Sequence, residues 1–215
     1  ETLFPYTTLF RSRVNVATYS ERGMCTGTLI DTDLVVTAAH CVFSERTGKL
    51  HNPKDVHFVA GWRRGTAVAH RKAEEIVVHP GYRHGAKLSI DQISADLALI
   101  RLDRAIERTE VAPFRISPMP RRSQPITLIS YRRDRAHALT RQDGCKTDGV
   151  QGGVMVLRCD VTFGASGSPV FAEIGGEKRI IAVISAKGVD KTSRRQLAFA
   201  VRVDAAMPTV LAKLP

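Results

Sequence analysis

Strand-length groups of apolar and β-prone residues recur along this chain, and turn-forming residues separate them. Val14, Val16 and Thr18 alternate with other residues at a period of two, the spacing of a half-buried strand. Residues 26–30 and 34–37 predict a hairpin around Asp31, Thr32 and Asp33, and 56–60, 67–70 and 75–79 predict further short strands. Within 97–102, Leu97-Ala98-Leu99-Ile100 is continuously apolar, as in a strand buried on both faces. The second half repeats the style at 126–131, 153–159, 168–171, 179–185 and 197–203. Between the halves, 113–125 carries Pro118, Pro120, Ser123 and basic residues and reads as a crossing segment. Asp204 is placed to cap a short terminal helix over 204–214, with Pro208 in its first turn. Many short strands bounded by Gly, Pro and Asp predict an all-β sandwich or barrel.

Composition adds limits. The chain has 215 residues, long enough for a substantial core. It has no apolar run of membrane-spanning length. Its net charge is +11, with 32 Lys and Arg against 21 Asp and Glu. Such an excess invites a nucleic-acid reading. The basic residues are scattered, however, with few aromatics among them and no nucleic-acid-binding motif. We therefore expect no specific nucleic-acid partner, only weak attraction to polyanions. Residues 1–12 resemble the in-frame translation of a sequencing-adapter oligonucleotide, although they are also apolar enough for an edge strand or a propeptide tail. They are set apart from the fold reasoning.

The chemistry concentrates in three stretches. Thr37-Ala38-Ala39-His40-Cys41, Asp96-Leu97-Ala98-Leu99-Ile100 and Gly164-Ala165-Ser166-Gly167-Ser168-Pro169 supply an imidazole, a carboxylate and a hydroxyl in that order. A serine hydroxyl is a weak nucleophile at neutral pH. An imidazole must take its proton, and a carboxylate must hold the imidazole in the right tautomer. Asp96 fits the last role better than Asp91, which lacks the apolar run behind it. The six other histidines have neither this setting nor metal-ligand spacing, so no metal and no cofactor is expected. The order His, Asp, Ser and the residue Ser168 two places after Ser166 exclude the Gly-x-Ser-x-Gly elbow of α/β-hydrolases. Four cysteines without a CxxC pair fit two disulfides and an oxidising compartment.

From about Arg13 to the C-terminus the chain resembles the chymotrypsin/trypsin-like serine peptidases, and most closely their bacterial secreted branch, which includes the glutamyl endopeptidases. The resemblance rests on the three stretches just quoted. It implies two packed six-stranded antiparallel β-barrels, here about 13–112 and about 121–203, with the cleft between them. It implies a monomeric, secreted or periplasmic endopeptidase acting on proteins or peptides through Ser166, His40 and Asp96. Backbone N–H groups of Gly164 and Ser166 would form the oxyanion hole. Cys25 with Cys41 matches the family's bridge beneath the histidine, which leaves Cys145 with Cys159. Ala165 departs from the animal branch, which has an aspartate before the nucleophile.

Substrate preference stays open at this stage. Asp160, six residues before Ser166, matches the pocket floor of the trypsin members and would attract Arg or Lys. It could equally serve the local backbone after Cys159. Ser185, Lys187 and Gly188 match the pocket's side wall, where Lys187 would neutralise Asp160 or favour an acidic residue. The glutamyl branch usually has a histidine near Ser185, and its absence argues against strict glutamate preference. A catalytically inactive homologue, binding partners through its basic surface, is the competing reading.

Overall fold

The computed structural model describes residues 12–18, 22–62, 66–120, 125–132, 135–159, 161 and 164–214. Asp160, expected to shape substrate preference, and most of the adapter-like segment, 1–11, lie outside the described residues.

Two antiparallel sheets form the molecule. The first contains β1 (Arg13–Ala17), β2 (Arg22–Thr26), β3 (Thr28–Leu29), β4 (Leu34–Thr37), β5 (Val56–Ala60), β6 (Ala69–Val78) and β7 (Ala98–Leu102), in the order β2-β1-β5-β6-β7-β4-β3. Its two ends, β2 and β3, are consecutive pieces of chain interrupted at Gly27, so the sheet curls back on itself as a nearly closed barrel. Gly27 allows this because the side chains of Val14 and Val35 press on it. A Cβ there would lie 2.5 Å from Val14 Cγ2. The second sheet is a closed barrel of β8 (Ile126–Arg132), β9 (Arg135–Gln151), β10 (Val154–Arg158), β11 (Pro169–Ile174), β12 (Glu177–Val189) and β13 (Gln196–Arg202), in the order β10-β13-β12-β11-β8-β9. Among the described residues, two short α-helices, α1 (Ile90–Ser94) and α2 (Val203–Leu211), stand outside the sheets.

The all-β architecture of paired barrels agrees with the sequence reading, and three elements differ from it. The strands expected at 67–70 and 75–79 are one strand, β6. Its first half pairs with β5 and its second with β7, with a register shift between Ala73 and Glu75. Small buried residues, Ala69 and Ala73, mark the inner face of its first half, so large apolar residues announce only the second half. The 17-residue β9 was not expected, because its sequence is polar. Pairing with β8 up to Cys145 and with β10 from Lys146 to Gln151 holds it extended. Finally, α2 begins one residue early. Arg202 occupies the cap position, the Asp204 carboxylate accepts from the Arg202 guanidinium at 2.6 and 3.0 Å, and Pro208 lies in the helix interior. Burial of Val203, Met207 and Val210 holds the helix despite the missing proline N–H.

Each barrel has its own core, with Val14, Phe58 and Ile100 in the first and Leu128, Met155 and Leu157 in the second. A third cluster lies between them. It joins Val36, Leu97 and Leu99 to Phe171, Val183 and Val201, with Met207 and Val210 of α2. The crossing segment is bonded to both sheets, since Phe114 N–H donates to Leu29 C=O and Ser117 N–H donates to Ile180 C=O.

Candidate active site

Strand register brings the first two groups together. Thr37, the last residue of β4, pairs with Ala98, the first of β7. His40 lies three residues beyond one member of this pair and Asp96 two residues before the other, at the same end of the barrel. The chain after β4 tightens into a 3-10 turn, Ala39–Val42. Ala38 and Ala39 are fully buried there, small enough to let the turn fold against the barrel. Ahead of Asp96, the Ser89 hydroxyl caps α1 by accepting from Gln92 N–H, and Asp96 N–H donates to Ile93 C=O.

His40 and Asp96 meet closely. His40 Nδ1 is 2.8 Å from Asp96 Oδ2, and His40 backbone N–H donates to Asp96 Oδ1 at 2.8 Å. An ionised carboxylate only accepts, so Nδ1 carries the proton and Nε2 is left as the acceptor. The His40 side chain is 31% exposed and that of Asp96 only 6%, so the ring lies at the cleft surface above a buried charge. Burial pushes the imidazole's proton affinity down. The Asp96 charge and hydrogen bond, helped by the charge of Glu45, push it up further, and the His40 pKa ends above its ordinary 6.5.

A third donor to Asp96 comes from the second barrel. Ser185 Oγ–H donates to Asp96 Oδ2 at 2.5 Å. Ser185 lies at a break in register of β12 against β13, where Ile184 pairs with Ala200 but Ala186 pairs with Phe199. This bulge turns the side chain toward the first barrel. The sequence reading placed Ser185 in the pocket wall and did not anticipate the contact, because hydrophobic alternation does not reveal a bulge. Further along β12, Lys187 is exposed and Gly188 packs against the ring of Phe199.

The loop of Ser166 docks on the wall that carries His40. Thr26 N–H donates to Ser166 C=O at 2.8 Å and Thr26 Oγ–H to Gly164 C=O at 3.1 Å. Gly164 has φ +96°. Gly167, at φ +76°, presses so closely that a Cβ there would lie 2.1 Å from Thr26 O and 3.3 Å from Ala38 N. From the other side, Gly167 N–H donates to Ile184 C=O. Cys25, beside Thr26, is disulfide-bonded to Cys41, beside His40. The second bridge, Cys145–Cys159, closes the β9–β10 hairpin. Cys25, His40 and Cys41 group as metal ligands do, but their sulfurs are bonded to each other and offer no thiolate.

Beside this arrangement lies a pocket of about 200 Å³ lined by His40, Tyr82, Leu88, Ile93, Asp96 and Ser185. Burial, with the charge of Asp96 behind it, pushes the Tyr82 phenol pKa far up, so the phenol keeps its proton.

Residues 25–182 match the model of the trypsin-like peptidase domain, and the chain belongs to that family. Its fold is similar to that of a thermostable serine protease, AL20, from an extremophilic microorganism. The TM-score is 0.73 at 17% identity, over 96% of this chain and 97% of that one. It is similar to the protease Anisep from Arthrobacter nicotinovorans, with TM-score 0.71 at 16% identity over 96% and 98%. It is also similar to a Glu endopeptidase, with TM-score 0.71 at 19% identity over 94% and 88%. No curated protein sequence matches the chain. Among the described residues, no helix is long and apolar enough to cross a membrane.

Proposed function

We propose that this protein is a serine endopeptidase that cleaves peptide bonds through an acyl-enzyme. Ser166 Oγ attacks the substrate carbonyl while His40 Nε2 takes its proton. His40 then gives that proton to the departing amine, and water releases the acyl group by the reverse roles. Asp96 holds the tautomer and stabilises the imidazolium. The N–H groups of Gly164 and Ser166 receive the oxyanion. The observation that carries this reading is the His40–Asp96 pair, with Nδ1 committed to a buried carboxylate on the wall where the Ser166 loop docks.

Two disulfides support a secreted or periplasmic site of action. The place of Asp160, six residues before Ser166, supports a preference for Arg or Lys on the acyl side of the cleaved bond. Exposed Lys187 would interact with a substrate's acidic groups at the rim. A peptidyl phosphonate should label the protein at Ser166, found by mass spectrometry, and Ser166→Ala should abolish both labelling and peptide cleavage. Peptides matched except for Arg, Glu or Phe at the cleaved position should show Arg fastest. A protein that neither labels nor cleaves would sink the assignment, and equal rates on the three peptides would sink only the role of Asp160.

A further inference from the structure

The two proposed oxyanion donors lie on peptides 163–164 and 165–166, and the carbonyl of the peptide between them is that of Gly164. That carbonyl accepts a hydrogen bond from the Thr26 hydroxyl, 138 residues away in the chain and in the other sheet. We infer that Thr26 is a positioning residue for oxyanion stabilisation, its hydroxyl holding the 164–165 peptide in the orientation that aims both donors at one point. This inference rests on the endopeptidase reading above.

Several observations support it. Ala165, next to the held peptide, is buried and its side chain cannot hydrogen-bond, and the loop's own bond, Ser168 N–H to Ala165 C=O, holds the following peptide rather than this one. Gly164, at φ +96°, resists rotation weakly, because glycine populates many backbone conformations. Thr26 is almost fully buried and is itself fixed. Its C=O accepts from Thr37 Oγ at 2.8 Å, its N–H donates to Ser166 C=O, and its neighbour Cys25 is tied to Cys41. One residue therefore grips the loop on both sides of Ala165. The backbone contact at Ser166 needs no particular side chain. The contact at Gly164 needs a hydroxyl on a β-carbon, as threonine and serine provide. A rigid restraint matters because oxyanion donors act only when already aimed at the developing charge, and small displacements of reacting groups are costly.

The test compares hydroxyl-free and hydroxyl-bearing variants in the full chain. Thr26→Val should lower kcat about 10–100-fold with KM within threefold, the range spanned by losing or misaiming one donor. It should weaken a peptide aldehyde, which forms a tetrahedral adduct, by the same factor. Thr26→Ser should restore kcat to within about threefold, a recovery expected only if the hydroxyl carries the effect. Thr26→Ala removes the hydroxyl without branching and replaces Thr26→Val if that variant does not fold. The proposal is overturned if the folded hydroxyl-free variant keeps kcat within twofold, or if Thr26→Ser falls as far as Thr26→Val. In each of those cases the wild-type protein still cleaves peptide and labels at Ser166. If the wild-type protein does neither, the endopeptidase reading has failed and this proposal with it.

Discussion

Burial lowers the proton affinity of His40, while the Asp96 charge and hydrogen bond raise it past the ordinary value. In the proposed mechanism His40 must be neutral to accept the Ser166 proton. The acid limb of kcat/KM should therefore rise with pH through a midpoint above 6.5, measured on the free enzyme. Asp96→Asn removes the raising charge. It should move that midpoint down and cut kcat roughly 10,000-fold by presenting the wrong tautomer. An unmoved midpoint would refute the electrostatic account. The same shift bears on stability. The folded protein holds the His40 proton more tightly than the unfolded chain does. This contribution is fully present below pH 6.5 and is lost as pH rises through the folded value above it. Ser185 presents a smaller case. Its bond to a buried carboxylate is charge-assisted and worth about 1.5 kcal/mol or more. Ser185→Ala should lower kcat about tenfold with little change in KM, because Asp96 would lose one of three donors while the substrate contacts stay. A rise in KM at unchanged kcat would instead mark Ser185 as a substrate contact, the role its position in the sequence suggested.

The Ser166 loop is held as an element, by contacts from both barrels, and Gly167 is where it has least room. Its φ of +76° and the 2.1 Å approach to Thr26 O leave no space for a methyl group. Gly167→Ala should cost about 3 kcal/mol or more, from left-handed backbone strain and overpacking together. Urea unfolding would measure this, and a loss under 1 kcal/mol would mean that the loop relaxes freely. β12 stiffens the loop further, because Ile184 C=O accepts from Gly167 N–H and Ile184 N–H donates to Ser168 C=O. The residue after Ile184 is the bulged Ser185, so one strand both supports the serine loop and reaches Asp96. Nothing in the run Ile180-Ile181-Ala182-Val183-Ile184 announces this, since a bulge leaves the apolar pattern intact and changes only which partner each residue faces.

The apolar cluster between the barrels ties their stabilities together. Phe171 of β11 is 1% exposed and packs there with Leu97 and Leu99 from the first sheet and Val201 and Met207 from the second half of the chain. Phe171→Ala should cost about 3–5 kcal/mol and lower one shared transition, followed by circular dichroism and by loss of phosphonate labelling. Two separated transitions would show that the barrels unfold independently and that the cluster is not a common core. Across the cleft, Ser185 to Asp96 and Thr26 to Ser166 add polar links at the same seam. The net charge of +11 acts on a longer range. With the basic residues scattered, it fits solubility and weak attraction to polyanions better than a defined nucleic-acid surface.

Local sequence was enough to indicate the three chemical groups, most strands and the family, because each depends on neighbours in the chain. A small-residue turn carries His40, an apolar run follows Asp96, and glycines flank Ser166. It did not reveal the polar strand β9, which is extended only because β8 and β10 pair with it, nor the continuity of β6, whose first half buries only alanines. It also left the Ser185–Asp96 bond and the Thr26 clamp out of sight. Those contacts join residues 89 and 138 positions apart, and they exist only once two barrels, closed by long-range strand pairing, set their edges against each other.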